Sequence, residues 1–151
     1  MRRSTEILTF ATNIENIGDV IDKSLMNLAK KRLGQHMEFS KEGHDEIKAF
    51  HGLVLDNLKL AQAVFMTQDE DLAHKLIENK RAVTEAAKVT LRKHFDRLAH
   101  GVKESYASSG VHLDVIRDLQ RINSYATRIA FVFLEKDPEP ADTSEQIPVE
   151  N

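Results

Sequence analysis

The first 137 residues contain no proline; Pro138, Pro140 and Pro148 all lie at the end of the 151-residue chain. Proline removes a backbone donor and clashes with the preceding turn, so nothing in those 137 residues forbids long helices. Glycine is scarce as well, and Gly34, Gly101 and Gly110 fall where helical spacing pauses, the usual place for a C-cap or turn. No alternating run rich in valine, threonine and tyrosine offers a strand. The chain therefore reads as all-α.

Apolar residues recur at steps of three and four in four segments. The first stripe, Ile7, Phe10, Ala11, Ile14, Ile17, Gly18, Ile21, Leu25 and Leu28, predicts a helix from about residue 4 to 33. A second helix, near 41 to 66, follows Ser40 as N-cap and carries Ile47, Phe50, Val54, Leu58, Ala61 and Phe65. Thr67 and Glu70 have capping-box spacing and open a third, near 69 to 100, through Leu72, Leu76, Lys80, Val83, Ala87, Leu91, Phe95 and Leu98. Residues 101 to 110, with Ser105, Ser108 and Ser109 between two glycines, read as a loop. A fourth helix, near 111 to 135, presents Leu113, Ile116, Leu119, Ile122, Ala126, Ile129 and Phe133. Short connections favour antiparallel neighbours, so the expected architecture is an antiparallel up-down bundle of four long helices. Its core should hold Ile14, Ile17, Ile21, Phe50, Val54, Leu91, Leu119, Ile122 and Ile129. The domain spans residues 1–136, and residues 137–151 are too polar and proline-interrupted to fold, an acidic disordered tail.

Several function classes drop out. The formal net charge is -3, but five of the 24 acids (Asp137, Glu139, Asp142, Glu145, Glu150) stand in the tail, where there is no lysine or arginine. A nearly neutral body lacks the basic face that nucleic acid requires. The longest apolar run, Ile129 to Leu134, falls far short of the roughly 20 residues of a membrane span, so no direct membrane insertion is expected. With no cysteine there is neither a thiolate nucleophile nor a thiolate metal site. The seven histidines include no pair at i, i+3 or i, i+4, and none follows a glutamate by three positions, which removes both the H-E-x-x-H and the di-iron Glu-x-x-His patterns. Glycine-loop phosphate motifs and G-x-S-x-G are missing too. The residues argue against an enzyme.

Glu15, Asp19 and Asp22 are the most suggestive acids. At 100° per residue, Glu15 and Asp19 point roughly 115° and 155° away from the centre of the first apolar stripe. Three carboxylates at i, i+4 and i+7, with no lysine or arginine among Asn13 to Asp22, repel one another, and a cation would relieve them. A solvated acidic face is the alternative. Asp114 and Asp118 alternate with Arg117 and Arg121, the pattern of self-compensating surface ion pairs.

The strings Asn13-Ile14-Glu15-Asn16-Ile17-Gly18-Asp19 and Asp118-Leu119-Gln120-Arg121-Ile122-Asn123-Ser124 resemble the repeated D-L-E-R-I-G-D signature of the PhoU family of phosphate-uptake regulators. ATNIENIGDVIDKSLMNLAKK, NLKLAQAVFMTQDEDLAHKLIENK and HLDVIRDLQRINSYATRIAF are similar, in that order, to the PhoU-like C-terminal domain of bacterial sodium/phosphate cotransporters, over nearly all of residues 3 to 136. The resemblance implies a PhoU-like helical bundle that regulates rather than catalyses, on the cytoplasmic side of the inner membrane. It implies a metal ion, iron or zinc, held by Glu15 and Asp19, with Asp22 nearby. Gln120 and Ser124 stand where the second signature has its carboxylates, leaving Asp114 and Asp118 as a shifted pair. It also implies membrane helices and earlier PhoU-type helices ahead of residue 3, so that the chain reads as an excised fragment whose partner is the membrane domain of its parent phosphate transporter. Loss of those upstream helices would leave apolar surface for a homodimer to cover. A metal-free adaptor bundle that binds a protein partner is the alternative function.

Overall fold

The computed structural model describes residues 2–134, and the expected tail lies outside them. α1 (Arg2–Asp19), a π-helical stretch (Val20–Leu25) and α2 (Met26–Gly34) run on as one continuous rod, since Asp19, Leu25 and Met26 all keep right-handed helical angles. α3 (Lys41–Thr67), α4 (Glu70–Ala99) and α5 (Lys103–Leu134) complete the bundle, with no strand among the described residues.

The helix ends follow from their capping chemistry. Ser40 accepts the Gly43 amide at 3.1 Å and starts α3, as expected. The capping box at Thr67 does not form. Asp69 caps α4 instead, accepting the amides of Asp71 (2.8 Å) and Leu72 (3.1 Å), while Thr67 closes α3 and donates to the Ala63 carbonyl. A carboxylate one residue from the helix start is the stronger acceptor for its orphan amides. Gly101, at φ +73°, ends α4 in the left-handed conformation that glycine adopts without penalty. The expected loop over 101 to 110 is helix from Lys103 onward, with Gly110 inside it. Ser105 and Ser108 are buried, and Ser108 returns its hydroxyl to the Glu104 carbonyl, so tertiary packing of small side chains overrides their turn preference.

α5 is the hub. It packs along α3, α4 and α1, while α3 also packs along α4. Bonds between Asn57 and Asn79, and between His94 and Ser109, join antiparallel neighbours, whereas Ser40 to Ser105 and Asn57 to Asn123 show α3 and α5 running parallel. Phe50, Val54, Leu76, Val83, Ile116, Leu119, Ile122 and Ile129 form the core, with Ile17 and Val20 contributed by the first rod. Two expected core residues are corrected: Ile14 is 40% exposed and Ile21 is 44% exposed. The rod is covered by α5 along one side and meets the end of α3 through the stacked rings of Phe10 and Phe65, 3.8 Å apart, while Ile7, Ile14 and Ile21 stay exposed. Leu91 is half-buried, and Lys80 and Phe95 face solvent, because Leu76, Val83, Ala87, Thr90 and His94 set the buried line of α4.

Candidate functional site

Asn13 and Asp118 both lead their signature strings, and both are buried. Asn13 donates to the Thr9 carbonyl of its own helix at 2.8 Å. Asp118 is fully enclosed and does more. Ser24, on the π-helical stretch, donates its hydroxyl to Asp118 Oδ2, and Arg121 reaches Oδ1 at 3.2 Å. The Met26 amide bonds back to the Ile21 carbonyl, five residues earlier, so this turn is widened relative to an α-helix. Widened turns of this kind often sit at functional positions. Here the turn carries Ser24, which clasps α5. Asp118 is thus corrected from a surface ion pair to a buried carboxylate tying two elements together, whereas Asp114 does form the expected surface pair, with Arg117 at 2.9 Å.

Glu15, Asp19 and Asp22 all point to solvent. Asp19 is engaged by Lys23 at 2.8 Å, and that carboxylate raises the Lys23 pKa, with Asp22 and Glu15 adding to it. No three His, Asp or Glu side chains converge as metal ligands among the described residues. Asp114 and Asp118 are turned to their arginines rather than toward Glu15 and Asp19. The described side chains by themselves therefore do not assemble a metal cluster. A pair such as Glu15 and Asp19 supplies two oxygens and leaves the rest of a coordination sphere to water or another molecule.

Two polar layers inside the bundle escaped the sequence reading. Asn57 donates to Asn123 at 2.8 Å and accepts from Asn79 at 3.0 Å, joining α3, α4 and α5. Nearer the other end, His94 and His112 stack with ring centroids 4.5 Å apart, and both are buried. His94 Nε2 pairs with the Ser109 hydroxyl at 2.9 Å, while neither nitrogen of His112 has a hydrogen-bond partner. Arg97 grips Glu46 with both terminal nitrogens, at 2.8 and 2.9 Å, and Gly43 lets α3 approach this layer closely. Burial pushes the His112 pKa down to about 4, helped by His94 and Arg97; burial and Arg97 lower that of His94 as well. Burial thus disfavours the charged form of both rings. The available signal was positional, because Asn57 and His94 occupy apolar-stripe positions of α3 and α4.

A third feature lies outside. The solvent side of α5 carries a shallow groove of about 360 Å³ lined by Arg117, Gln120, Arg121, Ser124, Tyr125 and Arg128. The Arg128 guanidinium lies over the Tyr125 ring, 5.2 Å from its centre.

The PhoU domain model matches residues 47–132, from within α3 to near the end of α5. A Salmonella typhimurium protein named as a candidate inorganic phosphate export protein, YjbB, is 31% identical over 144 residues, which is 95% of this chain and 26% of that protein. Its namesake in Escherichia coli strain K12 is 32% identical over 138 residues, 91% of this chain and 25% of that protein. The chain thus spans about a quarter of the length of these relatives. No solved structure matches it.

Proposed function

This chain belongs to the PhoU family, and from that premise we propose that it is the regulatory helical domain of an inorganic-phosphate transport protein. It works without catalysing a reaction, from the cytoplasmic side of the inner membrane, on a parent whose membrane domain is a sodium-coupled phosphate carrier. The observation that carries this reading is the uncovered apolar face of the first rod. Ile7, Ile14 and Ile21 recur every seven residues and are each 40% exposed or more. Such spacing is the seam that a helix offers to another helix. With about three quarters of the relatives' length lying outside this chain, the occupant of that seam is another part of the same protein, and a change in how it seats there is the regulatory signal. Among the described residues no helix is long and apolar enough to cross a membrane, so the module would act by docking.

In the full-length protein, Ile14→Asp with Ile21→Asp should abolish regulation of phosphate flux while the helical content of the domain is kept. Unchanged flux control in that variant would overturn the proposal. A homodimer through the same face is the competing occupant, and light scattering of the 151-residue chain separates the two.

The reading includes a weakly held metal ion, iron or zinc, at Glu15 and Asp19, its remaining ligands coming from water or the docked partner. Removing both acids should abolish any stabilisation that added metal confers, since only a ligand preferring the folded state raises stability. If the double variant gains as much as the parent, the adaptor reading without metal takes its place.

A further inference from the structure

The groove on the outer side of α5 is lined by three guanidinium groups, an amide, a hydroxyl and a phenol, with no carboxylate among the lining side chains. Every one of those groups donates hydrogen bonds. Arg117, Arg121, Ser124 and Arg128 are spaced by four, three and four residues, which stacks them along one helix face. Two acids touch these arginines, and neither of them lines the groove. Asp114 meets Arg117 through Nη2 at 2.9 Å, and Asp118 meets Arg121 through Nη1 at 3.2 Å. Each contact steadies a guanidinium through one nitrogen and leaves its other N–H donors available, out of the five that arginine carries. Arg128 meets no carboxylate at ion-pair distance among the described residues, and the Tyr125 ring beneath it limits the positions it samples. A smaller groove of about 210 Å³ adjoins the first, sharing Arg121 and Tyr125, with Lys23 and Ser24 on its rim beside Asp19.

Arginine forks match the oxygens of a tetrahedral anion in a way that lysine, a point charge, does not. The face is too small, and the chain too close to neutral, for a polyanion track. We infer that this groove is a phosphoryl-binding site, in which Arg117, Arg121 and Arg128 clasp the anion while Gln120 and Ser124 donate to its remaining oxygens. The phosphoryl group is either free inorganic phosphate or the headgroup of an anionic phospholipid; both present the same oxygens to the same donors. Choosing phosphate over sulfate as the oxyanion rests on the transport reading above. The groove itself does not depend on how the first rod docks.

The test uses the 151-residue chain. Thermal melts in inorganic phosphate are compared with chloride at equal ionic strength, and flotation compares vesicles of phosphatidylcholine alone with vesicles that also contain phosphatidylglycerol. The expected result is saturable binding to one probe, weakened at least tenfold by Arg117→Gln with Arg128→Gln and only partly by Arg128→Lys, which keeps the charge and loses the fork. Arg121 is left intact because it holds Asp118. Phosphate stabilisation identifies the free anion, and flotation only with phosphatidylglycerol identifies the headgroup. Binding to neither probe, or binding that the double variant retains in full, overturns the site. Flux control that depends on Ile14 and Ile21 would survive that failure, so the two proposals fail separately.

Discussion

Two strings that resemble one signature, and share the apolar spacing of Ile14 and Ile17 with Leu119 and Ile122, occupy very different surroundings. In α5, Leu119 and Ile122 are both buried, because α1, α3 and α4 pack around that helix. In α1, Ile17 is buried as Ile122 is, yet Ile14, which stands where Leu119 does, is 40% exposed. The leading residues differ as well. Asp118 is tied to a second element through Ser24, whereas Asn13 bonds only within its own helix. Spacing decides which side of a helix is apolar; the number of neighbouring helices decides how much of that side is covered.

The largest expected effect separates the strings directly. Leu119→Ala should cost about 2 to 5 kcal/mol, as large-to-small changes in cores do, and Ile14→Ala less than about 1 kcal/mol, the range of changes away from a packed core. Urea denaturation of both variants measures this, and equal costs would break the comparison. Next comes the imidazole pair. The folded pKa of His112 lies near 4 and the ordinary value is 6.5, so the folded state binds fewer protons between them. Stability is therefore fully present above pH 6.5 and is lost as pH falls toward 4, by about 3 kcal/mol at about 1.4 kcal/mol per pKa unit. His112→Phe should remove that part of the slope, and an unchanged slope would mean that other groups carry it.

Smaller again is the Ser24 clasp. Asp118→Ala should cost about 1 to 3 kcal/mol, the range for stripping a partner from hydrogen-bonded groups, while Asn13→Ala should cost less because its one bond is local. Hydrogen exchange of the π-helical stretch provides the readout, with faster exchange expected only in the Asp118 variant. Asp19→Asn should leave melting unchanged, since exposed pairs such as Asp19 with Lys23 contribute little.

Much of the bundle was legible in the sequence. The absence of proline and the apolar steps located all four helical rods, and Phe50, Val54, Ile122 and Ile129 fell inside as expected. The start of α5 was misread because serine and glycine were weighed by their turn preference, and burial against α4 reversed it. Asp118 was misread for a related reason: its arginine partner three residues on is visible in sequence, but Ser24, 94 positions away, is not. The asparagine and histidine layers were hidden because a polar residue on an apolar stripe looks like an imperfection until its partners on other helices are known. The shared helix face of Arg117, Arg121 and Arg128 was readable from spacing, but not that Gln120, Ser124 and Tyr125 join them in one groove.

The widened turn at Val20–Leu25 bears on how the length of this chain can vary. One residue removed from an ordinary stretch of helix turns everything beyond it by about 100° about the axis, carrying each apolar line off its neighbour. A turn that already holds a surplus residue can give one up and close into regular α-helix with both flanks still in phase. The first rod is thus able to shorten by one residue there while Ile17 and Leu25 keep their sides, and what such a deletion sacrifices is the placement of Ser24.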